Sequence, residues 1–173
     1  MKKKFNLVGD TFTHLTNGNK GYSCHGKESK YIEWVKDGAD ATFYIDNTIN
    51  TGIQDGRTGL KYLWLLESKY IKPGLVESII ANREVVEQTY DIIFTHDQRL
   101  LSLGDKYKWC PAQGFWIKDP KVCEKSKMIS MIASNKNMCE GHELRLEWVE
   151  RLGDQVDLYG RGFNEIADKE EGL

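Results

Sequence analysis

Apolar residues fall in short runs of strand length at 4–8 (KFNLV), 41–46 (ATFYID), 60–67 (LKYLWLLE) and 90–96 (YDIIFTH). The run at 60–67 is nearly continuous and ends on a carboxylate, the pattern of a central parallel strand buried on both faces. Between the last two runs the period changes. Leu75 and Ile79, then Val76 and Ile80, recur four residues apart, which predicts one or two helices over 75–88, with Asn82 placed to cap a second one. Ile32 and Val35 predict a short amphipathic helix over 30–36, punctuated by Asp37-Gly38. The Thr-, Asn-, Gly- and Ser-rich stretch 9–30 and the three-glycine stretch 49–59 read as loops. Residues 97–104 read as a short helix closed by Gly104, and 108–117 as short extended pieces. Strand, helix, strand, helix, strand from residue 60 onward argues for an α/β layer fold.

The charged segment 118–127 separates this unit from a second apolar pattern and reads as a linker between residues 1–120 and 127–173. The second pattern is a buried strand at 127–134, a helix near 142–152 with Leu144, Trp148 and Leu152 on one face, and a strand at 156–160. A strand as apolar as 127–134 must pair within the chain or be covered by oligomerisation.

Candidate chemistry sits at the ends of these strands, where ligands of open α/β sheets bind. Ser134 and Asn135 close the strand at 127–134. The helix that follows offers free N–H groups, and Arg145 in its first turns could pair with a diphosphate oxygen. The alternative for Arg145 is a solvated residue paired with Glu143 or Glu147. Gly160, Arg161 and Gly162 allow close backbone approach to a ligand, although an ordinary turn has the same composition. Glu67, at the end of the most hydrophobic strand, suits a general base at a cleft edge; the alternative is a solvated carboxylate paired with Lys69. Asp46-Asn47 reads as a turn start, and Asp97 as the N-cap of the helix after His96. Trp64, Trp109, Trp116 and Trp148 read as core residues. Trp34 and the stretch GFWI fit either the core or a sugar platform.

Composition narrows the partners. A net charge of −2 with 29% charged residues removes the signature of a polyanion binder, so no nucleic acid is expected. No apolar stretch reaches membrane-span length, and no signal peptide opens the chain. Cys24, Cys110, Cys123 and Cys139 form no CxxC pair and read as free thiols of a reducing, cytoplasmic compartment rather than a zinc site.

The block KMISMIASNKN, GHELRLEWVERLG and VDLYGRGFN resembles the opening of the donor domain of family 10 glycosyltransferases, the α-1,3/1,4-fucosyltransferases. LWLLESKYIKPG, YDIIFTHD and PAQGFWI resemble, in order, segments of that family's N-terminal half. The resemblance implies a Rossmann-like, GT-B-type N-terminal domain on the acceptor side, followed by the first strand-helix-strand portion of a second Rossmann-like domain on the donor side. It implies Glu67 as catalytic base and Arg145 as the contact to the donor diphosphate. Ser134, Asn135, Gly160, Arg161 and Asn164 then fall in donor-side loops. The implied reaction is inverting transfer of a fucose-like sugar from a nucleotide-sugar donor, GDP-fucose in the family, to a saccharide acceptor. No DxD motif is present, and neither a cofactor nor a metal is implied. The family's later Glu-Asn pair and Tyr-x-Thr-Glu-Lys motif do not occur before Leu173, so a truncated enzyme, a gene fragment or an acceptor domain without its partner half is expected. Two other readings remain: a non-catalytic saccharide- or partner-binding α/β module, and an unrelated nucleotide-binding α/β protein.

Overall fold

A computed structural model describes residues 2–9, 30–111, 122 and 124–167. The chain divides into two compact units, Met1–Gly114 and Phe115–Leu173. The first is α/β and contains six parallel strands: β1 (Lys3–Val8), β2 (Ile32–Trp34), β3 (Ala41–Ile45), β4 (Leu60–Trp64), β5 (Ile92–Thr95) and β6 (Tyr107–Trp109). They are ordered β2-β1-β3-β4-β5-β6, and every pairing is parallel. Helix α1 (Ile49–Gln54) joins β3 to β4, α2 (Leu75–Ala81) and α3 (Arg83–Thr89) join β4 to β5, and α4 (Gln98–Leu101) joins β5 to β6.

Strand order dictates where these helices lie. From β3 to β6 the chain steps one strand at a time in one direction, so right-handed crossovers place all four helices on one face. The main core confirms this placement. Tyr44, Leu63, Ile93 and Tyr107 from the strands pack with Ile49, Val76, Ile79, Val86 and Leu100 from the four helices. The opposite face is an aromatic layer centred on Phe43. Its ring centroid lies 5.1 Å from Tyr62, 5.4 Å from Phe5 and 6.0 Å from both Trp64 and Phe94. Trp34 joins this layer and is buried there, as core rather than sugar platform.

The link between β2 and β3 needs no helix. Trp34 and Ala41 both stand opposite Phe5, on either side of β1, so β3 starts at the height where β2 stops. The chain steps across β1 there, held by Val35 N–H to Phe5 O (2.8 Å) and Asp40 N–H to Lys4 O (2.8 Å). The helix expected at 30–36 is therefore this edge strand. Its Ile, Trp and Val favour extended backbone, and ladder bonds to β1 outweigh a single amphipathic turn.

The loop expected at 49–59 opens with α1. Gly52 is helical, at a conformational cost, because the helix packs too closely for a side chain: a Cβ there would lie 2.1 Å from the Tyr90 hydroxyl and 2.9 Å from the Tyr44 ring. Tyr90 Oη donates to Ile49 O (2.6 Å), and Lys61 Nζ donates to Gly52 O (2.9 Å) and to Asp55 O, closing both ends of α1. The strand expected to run to Glu67 ends at Trp64. Asn82 stands at the α2–α3 junction, with its amide turned back to Ser78 O (2.8 Å) and no side-chain capping bond to α3. Trp109 is exposed and Trp64 is partly buried, so neither is a buried core residue as expected.

The second unit is strand, helix, strand: β7 (Ser130–Ile132), α5 (Glu140–Leu152) and β8 (Asp157–Tyr159), with β7 parallel to β8. Among its described residues only Ala133 and Val156 are buried. The strand expected at 127–134 shrinks to three residues. Met128 and Ile129 before it are exposed, not buried. The predicted helix face is also rotated: Leu144 and Trp148 are exposed, while Arg145, Leu146, Val149 and Leu152 are partly buried. The apolar spacing of α5 supports two faces, and contact with the two-stranded sheet selects the one that includes Arg145. Most of the expected loop at 9–30, the extended pieces 112–117 with Trp116, most of the linker 118–127, Cys24, Cys123 and the tail 168–173 lie outside the described residues.

Gly52→Ala is expected to destabilise the first unit by about 1–3 kcal/mol, the range for overpacking a filled core. Urea denaturation followed by tryptophan fluorescence measures it.

Candidate functional site

In a parallel sheet every strand delivers its carboxyl end to the same edge, and the loops there carry the chemistry. Beyond the ends of β4 and β5 this edge of the first unit carries a shallow cleft with room for little more than one water molecule, lined by Leu65, Glu67, Lys69, Lys72, Leu75, Val76, Thr95, His96 and Asp97. Glu67 is exposed on its rim, three residues past the strand it was expected to close. Among the described ion pairs none joins it to Lys69, whose ammonium stands 5.1 Å from the Tyr70 ring centre.

Asp97 is the N-cap of α4, as its place in the sequence predicts: its Oδ1 accepts from Arg99 N (2.9 Å). The Arg99 guanidinium also pairs with it (3.1 Å) and with Glu77 (2.8 Å). Hydrogen bonding from Arg99 holds the Asp97 carboxyl below the usual carboxylate range. That leaves Glu67, Lys69, Lys72 and exposed His96 as the polar groups facing the cleft without a capping duty.

Asp46 follows β3, where the Asp-Asn dipeptide predicts only a turn start. It is buried, and its backbone lies at φ 39°, in the left-handed region where non-glycine residues are strained. Its Oδ1 accepts from Leu66 N (2.9 Å) and Glu67 N (3.4 Å), joining the end of β3 to the segment that carries Glu67. Burial raises its carboxyl above the usual value. The two backbone N–H groups and Lys72 pull the other way, and the Glu67 charge adds to the rise. The strained turn is held by Thr48, whose hydroxyl accepts from Ile45 N (2.7 Å) and reaches Val8 O (3.0 Å) at the end of β1. Asp-Asn after a strand is too common a turn start to reveal this; the run of apolar residues around it is the one clue that its carboxylate would be buried.

The second unit gathers six predicted residues at the carboxyl edge of β7 and β8. Asn135 N–H donates to Arg161 O (3.0 Å), Gly160 N–H to Asn164 O (2.8 Å), and Asn164 Nδ2 to Leu158 O (3.0 Å). Gly160 has φ 113°, and a Cβ on it would lie 2.0 Å from Ala133 O, so only glycine lets the two strand ends close together. Arg145 turns inward. Its Nη2 donates to Ser134 O (3.2 Å), and its Nε is buried without a partner among the described residues. It pairs with neither Glu143 nor Glu147; Glu147 is bonded to Arg151 instead. Ser134, Asn135, Arg145, Gly160, Arg161 and Asn164 thus share one sheet edge, while Glu67 belongs to the edge of the other unit.

Among the described residues no cluster of His, Cys, Asp or Glu has the make-up of a metal site, and no helix is long and apolar enough to cross a membrane. Cys110 and Cys139 are free thiols.

The raised carboxyl of Asp46 makes a signed prediction. A folded-state value above the unfolded one contributes stability below the ordinary carboxylate range and loses it as pH rises through the folded value. Asp46→Asn keeps an acceptor oxygen, tolerates the left-handed backbone and carries no charge. It is expected to melt higher than the parent at pH 7, with the gap narrowing as pH falls towards 4, as read by differential scanning calorimetry across that range.

Comparison with protein-family models, with curated proteins and with solved structures finds no match to this chain.

Proposed function

We propose that the chain is a glycosyltransferase of the inverting, fucosyltransferase-like kind, moving a sugar from a nucleotide-sugar donor to a saccharide hydroxyl. The observation that carries this reading is the convergence of Ser134, Asn135, Arg145, Gly160, Arg161 and Asn164 on the carboxyl edge of β7 and β8. The motifs resembling a sugar-nucleotide domain are dispersed over 31 positions, from Ser134 to Asn164, yet they fold to the end of the sheet where such ligands bind.

By the resemblance, the proton transfer falls to Glu67 and the diphosphate contact to Arg145. Glu67 accepts the proton of the acceptor hydroxyl as that oxygen forms its bond to the anomeric carbon. The bond from that carbon to the diphosphate oxygen breaks, and positive charge develops on the sugar as in glycoside hydrolysis. Arg145 stabilises the departing diphosphate. Arg145 is already partly withdrawn from water, which strengthens its pull on an anion. A GT-B arrangement, GDP-fucose as donor and a cytoplasmic setting belong to this proposal.

A second reading has one observation in its favour. Leu144 and Trp148 present an exposed apolar face on α5, as expected of a non-catalytic module that docks on a partner.

Calorimetric titration with GDP and GDP-fucose tests the first reading. Saturable binding is expected, weakened about ten- to a hundredfold in Arg145→Ala, the loss of one charge-assisted contact. Glu67→Gln is expected to retain that binding and to lower donor-dependent transfer about a hundredfold or more. Binding to glycans alone, with no response to any sugar nucleotide, would replace the transferase with the binding module.

A further inference from the structure

We propose that Asp46 is a positioning residue for Glu67, fixing the backbone from which that carboxylate projects. The proposal rests on the transferase reading for the role of Glu67, and on independent geometry for the contact itself. Leu65 N–H still belongs to the sheet and donates to Phe94 O (2.9 Å). The next two amides do not. Leu66 and Glu67 both turn to Asp46 Oδ1, so one carboxylate oxygen replaces the ladder where the chain leaves β4. Immediately afterwards Ser68 O accepts from Ile71 N (3.0 Å) and Lys72 N (2.9 Å), closing the turn that returns Lys72 to the cleft. Glu67 is therefore held between two anchored points.

The choice of aspartate is costly at this position. Left-handed backbone is easiest for glycine and tolerated by asparagine and aspartate, whereas burial disfavours a carboxylate. Thr48 holds the turn at Ile45 and Val8, so the strained geometry is overdetermined by the ends of two strands. Strain maintained by its surroundings at the ligand-binding edge of a sheet is the pattern of a functional constraint. An acceptor at this site serves the position of the Glu67 backbone.

Asp46→Gly removes the side chain while relieving the backbone, so the variant is expected to fold; Asp46→Asn restores an acceptor. Amide exchange measured by NMR reads the contact directly. Exchange at Leu66 and Glu67 is expected to rise about tenfold in Asp46→Gly, the loss of one hydrogen bond, and to return in Asp46→Asn. The Ile93 amide, bonded to Lys106 O inside the sheet, is the control and is expected to hold. In the transfer assay Asp46→Gly is expected to lower kcat about ten- to a hundredfold with donor KM unchanged, Asp46→Asn to recover most of it, and Asp46→Gly to add nothing in the Glu67→Gln background. Unchanged exchange at Glu67, or a full further loss of kcat on top of Glu67→Gln, overturns the proposal. A parent chain that transfers no sugar overturns the transferase reading instead, and the exchange experiment then decides whether Asp46 positions Glu67.

Discussion

Parallel pairing of β3, β4 and β5 is the constraint on which the first unit depends. It sends the residues after each strand to one edge, so Asp46, Glu67 and His96 become neighbours in space although they are dispersed along the chain. The same pairing, stepping in one direction, puts α1 to α4 on one face and leaves the other to the aromatic layer around Phe43. Tyr44 and Tyr90 then meet edge to face, and the space between them and α1 is too small for anything but Gly52. Burial raises both phenols well above their ordinary value, with hydrogen bonding to the Asp55 carboxylate adding to it at Tyr44, and each donates a hydrogen bond, Tyr44 Oη to Asp55 Oδ2 (2.6 Å) and Tyr90 Oη to Ile49 O (2.6 Å).

The second unit solves a smaller version of the same problem with less material. Two strands and one helix bury little, and their packing is fixed by backbone approach rather than by side-chain volume. Gly160 lies against Ala133 O, and Gly162 against the Asn135 side chain. Arg145 covers the strand end with its guanidinium turned to Ser134 O. Its helix turns Arg145 inward with Leu146, Val149 and Leu152, and leaves Leu144 and Trp148 exposed. An inward arginine at a strand's carboxyl end costs desolvation, which an anion at that edge would offset.

Both edges carry departures from local preference. Asp46 adopts a left-handed backbone and buries a carboxyl group; Arg145 buries an N–H without a partner among the described residues. Such departures weaken a fold and concentrate where a ligand or a reacting group uses them. The hydrophobic core shows the opposite behaviour. Ile79, Leu63 and Ile93 are fully buried, within the apolar runs and the four-residue spacing that the sequence shows.

The long-period patterns were legible in the chain itself. The alternation from residue 60 onward, the helices over 75–88, the N-cap at Asp97 and the strand, helix, strand order of the second unit follow from spacing and from local hydrogen bonding, although Ile80 is exposed and β7 stops at Ile132. Where the reading failed, a partner distant in sequence had decided the outcome. Residues 32–34 are a strand because β1 lies beside them, 49–54 a helix because Tyr44 and Tyr90 accept its glycine, and β4 stops at Trp64 because Asp46 captures the amides beyond it. Side-chain chemistry and periodicity are properties of neighbouring residues and can be read along a chain. Which carboxylate is buried, and which face of α5 is covered, depend on what the fold brings against them, and only tertiary packing supplies that.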